Sequence, residues 1–324
     1  MILPSTSPFR CLVIDLMHES LLPMLENLGV EVTYVPNVKK EEVPGMVQDY
    51  QMLVVRSKMR ITADFLKHAP NLEILARAGA GVDNIDDGVL EARNITLINA
   101  PEGNRDAVGD HTLGLLLALF RKTTRGDRQI REGQWLREDN RGVEIGGKTI
   151  GLIGYGHMGK SFAKRLMGFD CDVLAFDQQP VENPFPHVRL TSLEELQEKA
   201  QVLSLHIPYT KENHHFVNAQ VLAKFRHPLW VLNTARGEVL DHAALVEAMK
   251  TGQVPGAALD VLENEKLKTL TSEQQERLTF LMDHPRVILT PHIAGWTQES
   301  YVRINEVLVQ KLAGFLATRS RESL

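Results

Sequence analysis

The stretch Thr149-Ile-Gly-Leu-Ile-Gly154-Tyr-Gly156-His-Met-Gly159 leads from an apolar run, through a turn with three glycines, into a helical pattern reaching Met167. A strand that turns this tightly into a helix commits its surroundings to a parallel α/β sheet, because the helix packs back along the strand before it. Gly154 permits the turn, Gly156 lets phosphates approach the backbone, and Gly159 lets helix and strand pack closely. The helix amino end then offers N–H groups and partial positive charge to a pyrophosphate. Asp177 closes the next apolar run, roughly 20 residues on, where a carboxylate accepts the adenosine ribose hydroxyls and repels a 2′-phosphate. Gln178-Gln179-Pro180 supplies no arginine for such a phosphate, so the expected cofactor is NAD rather than NADP.

The rest of the chain alternates in the same way. Arg10 to Asp15, Val30 to Val35, Gln51 to Arg56, Leu72 to Ala76 and Ile95 to Asn99 read as strands, with helical stretches at Glu19–Leu28, Thr62–His68 and Ile85–Arg93. A second series follows Pro101: a long helix at Ala107–Arg125, then strands at 149–153, 172–176, 200–206, 230–233, 257–260 and 287–289. Asp241–Lys250 is helical with Asp241 as its cap. The charged segment Glu263–Arg277 lacks strand character and is expected to run over the surface. The last helix, from about Gln298 to Ala317, lies beyond the last strand and is read as crossing back to the first domain. The fold class is therefore α/β, with two Rossmann-like or flavodoxin-like domains, parallel sheets and an active-site cleft between them. The expected domains are 1–100 with 298–324, discontinuous and substrate-binding, and 101–297, the NAD-binding Rossmann domain.

Three apolar runs in the second series each precede a functional side chain: Pro228–Asn233 precedes Arg236, Gly256–Asp260 precedes Glu265, and Val287–Thr290 precedes His292. Neighbouring parallel strands would gather all three at the carboxyl edge where open α/β sheets bind ligands. A planar guanidinium grips a carboxylate with two parallel hydrogen bonds and can direct a further donor at the adjacent carbonyl. A protonated imidazole donates to that carbonyl oxygen as hydride reaches carbon, and acts as base in reverse. A carboxylate beside the ring orients it and favours its charged form. These are the roles expected of Arg236, His292 and Glu265.

Five blocks then recur in the order of one family: Arg77-Ala-Gly-Ala-Gly-Val-Asp-Asn84, the glycine turn, Asn233-Thr-Ala-Arg236-Gly, Ala258-Leu-Asp260-Val-Leu-Glu-Asn-Glu265 and Pro291-His292-Ile-Ala-Gly295. Over nearly its whole length the chain resembles the NAD-dependent D-2-hydroxyacid dehydrogenases, and in particular short D-3-phosphoglycerate dehydrogenases of serine biosynthesis. The resemblance implies oxidoreductase activity on a 2-hydroxy or 2-keto acid with Arg236, Glu265 and His292 as the catalytic set. It implies cofactor contacts at Gly154, Gly156, His157, Met158, Gly159, Asp177, Pro208, Thr234, Ala235, Asp260 and Gly295. It implies substrate contacts at Arg56, Ser57, Arg236 and the backbone of Ala78, Gly79 and Ala80. Arg56, Lys58 and Arg60 would attract a phosphate distant from the substrate carboxylate; for Lys58 and Arg60 a solvated basic turn competes. The resemblance, like the long helix, implies a homodimer, in which Trp135 and Arg137 lie where the family reaches a neighbouring site.

This chain departs from phosphoglycerate dehydrogenases at Ala80, Glu102, Lys266 and Trp296, all near surfaces that select substrate. Glyoxylate or hydroxypyruvate reduction is the alternative activity, and an NAD-binding corepressor-like regulator is the alternative class. A formal charge of −5 argues against broad affinity for nucleic acid or anionic membranes. The longest apolar stretch, Leu113 to Phe120, is far shorter than the ~20 residues of a membrane span. Only Cys11 and Cys171 are present, without a His or Cys cluster, so reduced thiols and no metal site are expected. With no signal-peptide pattern at Met1 to Arg10, a cytoplasmic protein is expected.

Overall fold

A computed structural model describes residues 9–322. The chain divides into two compact units, Met1–Asn104 with Trp296–Leu324, and Arg105–Gly295.

The first unit holds five parallel strands: β1 (Phe9–Val13), β2 (Val30–Tyr34), β3 (Met52–Val55), β4 (Ile74–Arg77) and β5 (Thr96–Asn99). Their order β2-β1-β3-β4-β5 is the flavodoxin-like doubly wound arrangement. Both faces of this sheet are covered, which is why its strands are near-continuous apolar runs. On β1, Cys11 and Val13 face one core cluster while Leu12 faces the other. The helix Gln298–Glu322 completes the first of these clusters with Ile304, Leu308 and Leu312. It is tied down by Lys311, whose Nζ donates to the Asn99 carbonyl and to Glu102 at 2.8 and 2.9 Å. Gly103 allows close packing here, since a Cβ would lie 2.7 Å from the Ile304 backbone.

The second unit holds seven parallel strands: β6 (Thr149–Ile153), β7 (Asp172–Phe176), β8 (Val188–Leu190), β9 (Val202–Leu205), β10 (Trp230–Asn233), β11 (Ala257–Leu259) and β12 (Val287–Leu289). Their order is β12-β11-β10-β9-β6-β7-β8. Counted from β6, this is the Rossmann order extended by one strand, and its switch point lies between β6 and β9. The three runs that precede Arg236, Glu265 and His292 are neighbours, β10 pairing with β11 and β11 with β12, all parallel.

One helical expectation needs correction, and one further helix is present. The long helix spans Pro101–Arg121, starting earlier because proline suits a first helical position, and it ends where Lys122 turns left-handed at φ 53°. A separate helix, Thr123–Arg131, follows. The segment Glu263–Arg277 has no strand and no buried residue, as expected of a surface run, but it leads into an unforeseen helix: Ser272–Asp283 is opened by a capping box between Thr271 and Gln274. Its buried anchors, Leu278 and Leu281, are spaced for one face. Thr271→Ala should cost this helix about 1 kcal/mol, seen as faster hydrogen exchange in amides of its first turns; unchanged protection would contradict the cap.

Candidate active site

Because every strand of the second unit runs the same way, the residues that follow their carboxyl ends share one edge. They are Gly154 after β6, Asp177 after β7, His206 after β9, Thr234 after β10, Asp260 after β11 and Thr290 after β12. Five of these six carry polar side chains, and a row of that kind marks where chemistry can be held.

Asp260 is the hub of that edge. Its side chain is fully buried and its carboxylate accepts from the Thr290 hydroxyl at 2.6 Å, the Ile293 N–H at 2.9 Å and the Ala294 N–H at 2.8 Å. Its backbone carbonyl accepts the His292 N–H at 2.8 Å. Burial alone would raise the Asp260 pKa, but hydrogen bonds from His111, Thr290, Ile293 and Ala294 together outweigh it and hold the carboxyl below the usual range. The loop after β12 thus wraps around one ionised group, and His292 sits within it at a left-handed φ of 54°. Such a conformation is uncommon outside glycine and persists where surrounding bonds enforce it.

The His292 ring points its Nδ1 at Glu265, 2.8 and 3.0 Å from the two carboxylate oxygens. With Nδ1–H donated there, Nε2 is the nitrogen left to exchange a proton with a ligand. Both side chains are 46% exposed, so the pair is reachable from solvent.

Arg236 is carried by the turn after β10. The buried Asn233 shapes that turn: its Nδ2 donates to the Arg236 carbonyl at 2.9 Å and its Oδ1 accepts the Ala235 N–H at 3.0 Å. Gly237 lets the turn lie against the backbone of Leu262 and Glu263, which any Cβ would strike. This close approach brings the Arg236 turn onto the segment leading to Glu265. Arg236 itself is half-buried, and its Nη1 donates to the Ala235 carbonyl at 2.6 Å.

The glycine turn fits a dinucleotide. Gly154 has φ 93°, and a Cβ there would meet the His206 backbone at 2.7 Å. Nothing lies within 4 Å of a Cβ built on the exposed Gly156, while Gly159 packs directly on the Gly154 carbonyl. The helix His157–Leu166 opens at Gly156 with no side-chain cap, leaving a polar end suited to phosphate oxygens. Asp177 is half-exposed and already braces the turn, accepting the Tyr155 N–H at 2.7 Å and the Gln179 N–H at 3.0 Å. Met158 is half-buried, His157 and Pro208 are exposed, and Gly295 is half-buried as the last residue of the unit. The Thr234 hydroxyl is 3.0 Å from that of Thr112 on the long helix.

In the first unit, Arg56 and the exposed Ser57 follow β3, and Ala78, Gly79 and Ala80 follow β4. The Ala78 N–H donates to the Val55 carbonyl at 2.8 Å and the Gly79 N–H to the Arg77 carbonyl at 2.9 Å. Ala80 is the residue of the three whose N–H carries no such backbone bond among the described residues, and Asn99 fixes its carbonyl at 2.8 Å. Lys58 is committed as well: its Nζ donates to the carbonyls of Pro36 and Val38 at 2.6 and 3.0 Å.

Several residues escaped the sequence reading. His111, on the long helix, reaches Thr290 at 3.2 Å and Asp260 at 3.5 Å. Glu263 accepts His215 Nε2 at 2.9 Å and the His242 N–H at 3.0 Å, with Arg277 at 3.6 Å, so it ties three segments to the loop that carries Glu265. His206 lies beneath the glycine turn, 2.9 Å from the Ser204 hydroxyl, and burial pushes its pKa down to about 3. Ser204, His206 and Asn233 were visible as polar residues at the ends of apolar runs, a signal of buried hydrogen bonding.

Comparison with known proteins identifies the family. The profile described as "D-isomer specific 2-hydroxyacid dehydrogenase, NAD binding domain" matches residues 113–294. A hydroxypyruvate reductase of Thermotoga maritima is 35% identical over 305 residues, covering 94% of this chain and 97% of that protein. A D-3-phosphoglycerate dehydrogenase of Archaeoglobus fulgidus is 34% identical over 305 residues, covering 94% of this chain. The chain spans only 56% of that relative's length. The solved structure of an Aquifex aeolicus D-lactate dehydrogenase, complexed with NAD and lactic acid, superposes with a TM-score of 0.80. It is 26% identical, covering 95% of this chain and 96% of its own.

The buried His206 predicts an acid-sensitive second unit. The unfolded chain takes up this proton near the ordinary pH of 6.5, whereas the folded chain resists to about 3. Stability is therefore lost as pH falls through that window, by about 1.4 kcal/mol per pH unit. Urea unfolding at pH 7 and pH 5 should show a larger loss in the natural protein than in His206→Asn; equal losses would contradict the neutral, buried ring.

Proposed function

The chain belongs to the D-isomer specific 2-hydroxyacid dehydrogenase family, and we propose that it transfers a hydride between NAD and a D-2-hydroxy acid or its 2-keto partner. The observation that carries this reading is the His292–Glu265 pair, held on the same sheet edge as the glycine turn and the Arg236 turn. NAD, the family's cofactor, would be held by the backbone of Gly154–Gly159 and by Asp177, with Met158, Pro208, Thr234, Ala235, Asp260 and Gly295 lining its course. Bound there, it supplies the hydride acceptor or donor at its nicotinamide.

The protein's own part is to bind, orient and move a proton. Arg236 grips the substrate carboxylate with two N–H groups, an interaction that lysine cannot reproduce. His292 Nε2 gives a proton to the carbonyl oxygen during reduction and takes it from the hydroxyl during oxidation. Glu265 accepts from Nδ1, fixes the tautomer and offsets the positive charge that the ring carries when protonated. From the first unit, the Ala80 end of the Ala78–Ala80 turn and Arg56 with Ser57 are proposed as further substrate contacts.

As substrate we favour D-3-phosphoglycerate, which would assign the enzyme to serine biosynthesis, because Arg56 offers a cation for the phosphate. Hydroxypyruvate or glyoxylate is the second reading, supported by the near full-length match to a hydroxypyruvate reductase. A homodimer is proposed from Ile130, Trp135 and Leu136, apolar side chains left 52%, 83% and 40% exposed after the long helix. No helix among the described residues is long and apolar enough to cross a membrane. Burial raises the pKa of both free thiols, Cys11 and Cys171, which supports inert reduced cysteines; a cytoplasmic setting is proposed.

Oxidation of NADH by 3-phosphohydroxypyruvate, hydroxypyruvate and glyoxylate tests the proposal. The phosphorylated acid should give the highest kcat/KM, and His292→Ala should lower kcat about 10²–10⁴-fold with NADH affinity nearly intact. NADH binding without turnover of any of the three would instead favour a corepressor-like regulator. Asp177→Ala should erode the preference for NAD over NADP; a natural preference for NADP would overturn the ribose assignment.

A further inference from the structure

Arg56 leaves β3 at its carboxyl end, and two rings of the first unit hold its guanidinium. Its Cζ lies 3.8 Å from the centroid of the Trp296 ring and 5.0 Å from that of Tyr301. The two rings pack on each other at 5.6 Å, tilted by 37°. Tyr301 is pinned in turn, its hydroxyl donating to the Leu16 carbonyl at 2.7 Å. The root of the arginine is pinned too, its backbone N–H donating to the buried Asp15 carboxylate at 2.7 Å.

Burial pushes the Arg56 pKa down, opposed by Tyr301 and Asp15. Among the described residues the guanidinium is met by the two rings and the Tyr301 hydroxyl, with no carboxylate in salt-bridge contact. A guanidinium with its face against an indole retains its edge N–H groups, whose fork matches the oxygens of phosphate or carboxylate. Trp296 remains 59% exposed and Leu16 67% exposed, so small molecules can reach this spot. Lys58 cannot substitute for Arg56, because two backbone carbonyls occupy its Nζ. Along the chain, Trp296 comes only four residues after His292.

We propose that Trp296 and Tyr301 are positioning residues that set Arg56 as a fixed anion grip, so that the enzyme selects 2-keto acids bearing a second anionic group. The selectivity rests on the dehydrogenase reading above; the grip itself does not. An unbraced arginine must give up rotamer freedom on meeting its ligand, whereas a stacked one has already lost it. Either a phosphate or a second carboxylate satisfies the fork, and the choice between them is read from the substrates below.

The test compares the full chain with Trp296→Ala, Trp296→Phe and Tyr301→Phe, using 3-phosphohydroxypyruvate, oxaloacetate and hydroxypyruvate. Calorimetric binding of 3-phosphoglycerate supplies a readout that needs no turnover. Trp296→Ala should reduce the kcat/KM advantage of the preferred anionic substrate over hydroxypyruvate about fivefold, the worth of a cation–π contact at a solvent-exposed ring. The loss should fall mainly in KM, the 3-phosphoglycerate Kd should weaken by a similar factor, and phenylalanine should restore most of both. A larger loss with 3-phosphohydroxypyruvate assigns a phosphate, and a larger loss with oxaloacetate a carboxylate. No turnover of any keto acid, with the Kd effect intact, would sink the dehydrogenase reading and support the grip. An unmoved selectivity ratio and Kd in Trp296→Ala would overturn the grip, as would a natural enzyme that favours neither anionic acid.

Discussion

A buried carboxylate normally resists ionisation, yet Asp260 is held ionised by the loop it organises. Burial pushes one way; His111, Thr290, Ile293 and Ala294 push the other and prevail. Removing that charge would leave three donors of one loop without an acceptor, each a cost of about 1–3 kcal/mol when buried. The same interaction fixes His292 in a left-handed conformation that few side chains adopt unaided. The orientation of the ring toward Glu265 therefore depends on a residue that makes no contact with either ring nitrogen in this structure.

The parallel sheet supplies the remaining order. Most strand ends deliver a polar residue to a common edge, and small residues set how closely adjoining turns approach. Gly237 lets the Arg236 turn meet the segment before Glu265, and Gly159 lets the cofactor helix meet the Gly154 carbonyl. Asn233 and Glu263 then lock those turns through hydrogen bonds to backbone and side chains. The candidate catalytic side chains remain half-buried or exposed, while the residues that position them, Asn233 and Asp260, are buried. This division suits a site whose reactive groups must meet a ligand without moving their supports.

Much of this was legible from residues alone. The glycine turn, Asp177 and the three apolar runs before Arg236, Glu265 and His292 follow from the side-chain demands of a parallel sheet buried on both faces. The helix Ser272–Asp283 was missed because the charges of Glu263–Arg277 obscured its capping box and its two buried leucines. The long helix was misread at both ends, since its start depends on a proline and its stop on the conformation of Lys122. Long-range bonds were beyond reach: no spacing rule joins His111 to Thr290, 179 residues apart. Backbone donors were equally hidden, and Ala78 and Gly79 prove to be committed within the fold. Trp296 stood out as a departure, but its stacking on Arg56 needed coordinates.

Transfer of deuterium from nicotinamide-labelled NADH to a 2-keto acid, followed by analysis of the product, reads the hydride step itself. Label is expected at C2 of a hydroxy acid of D configuration. NADH bound at the glycine turn with no label reaching any 2-keto acid, or label in an L product, would contradict the proposed transfer.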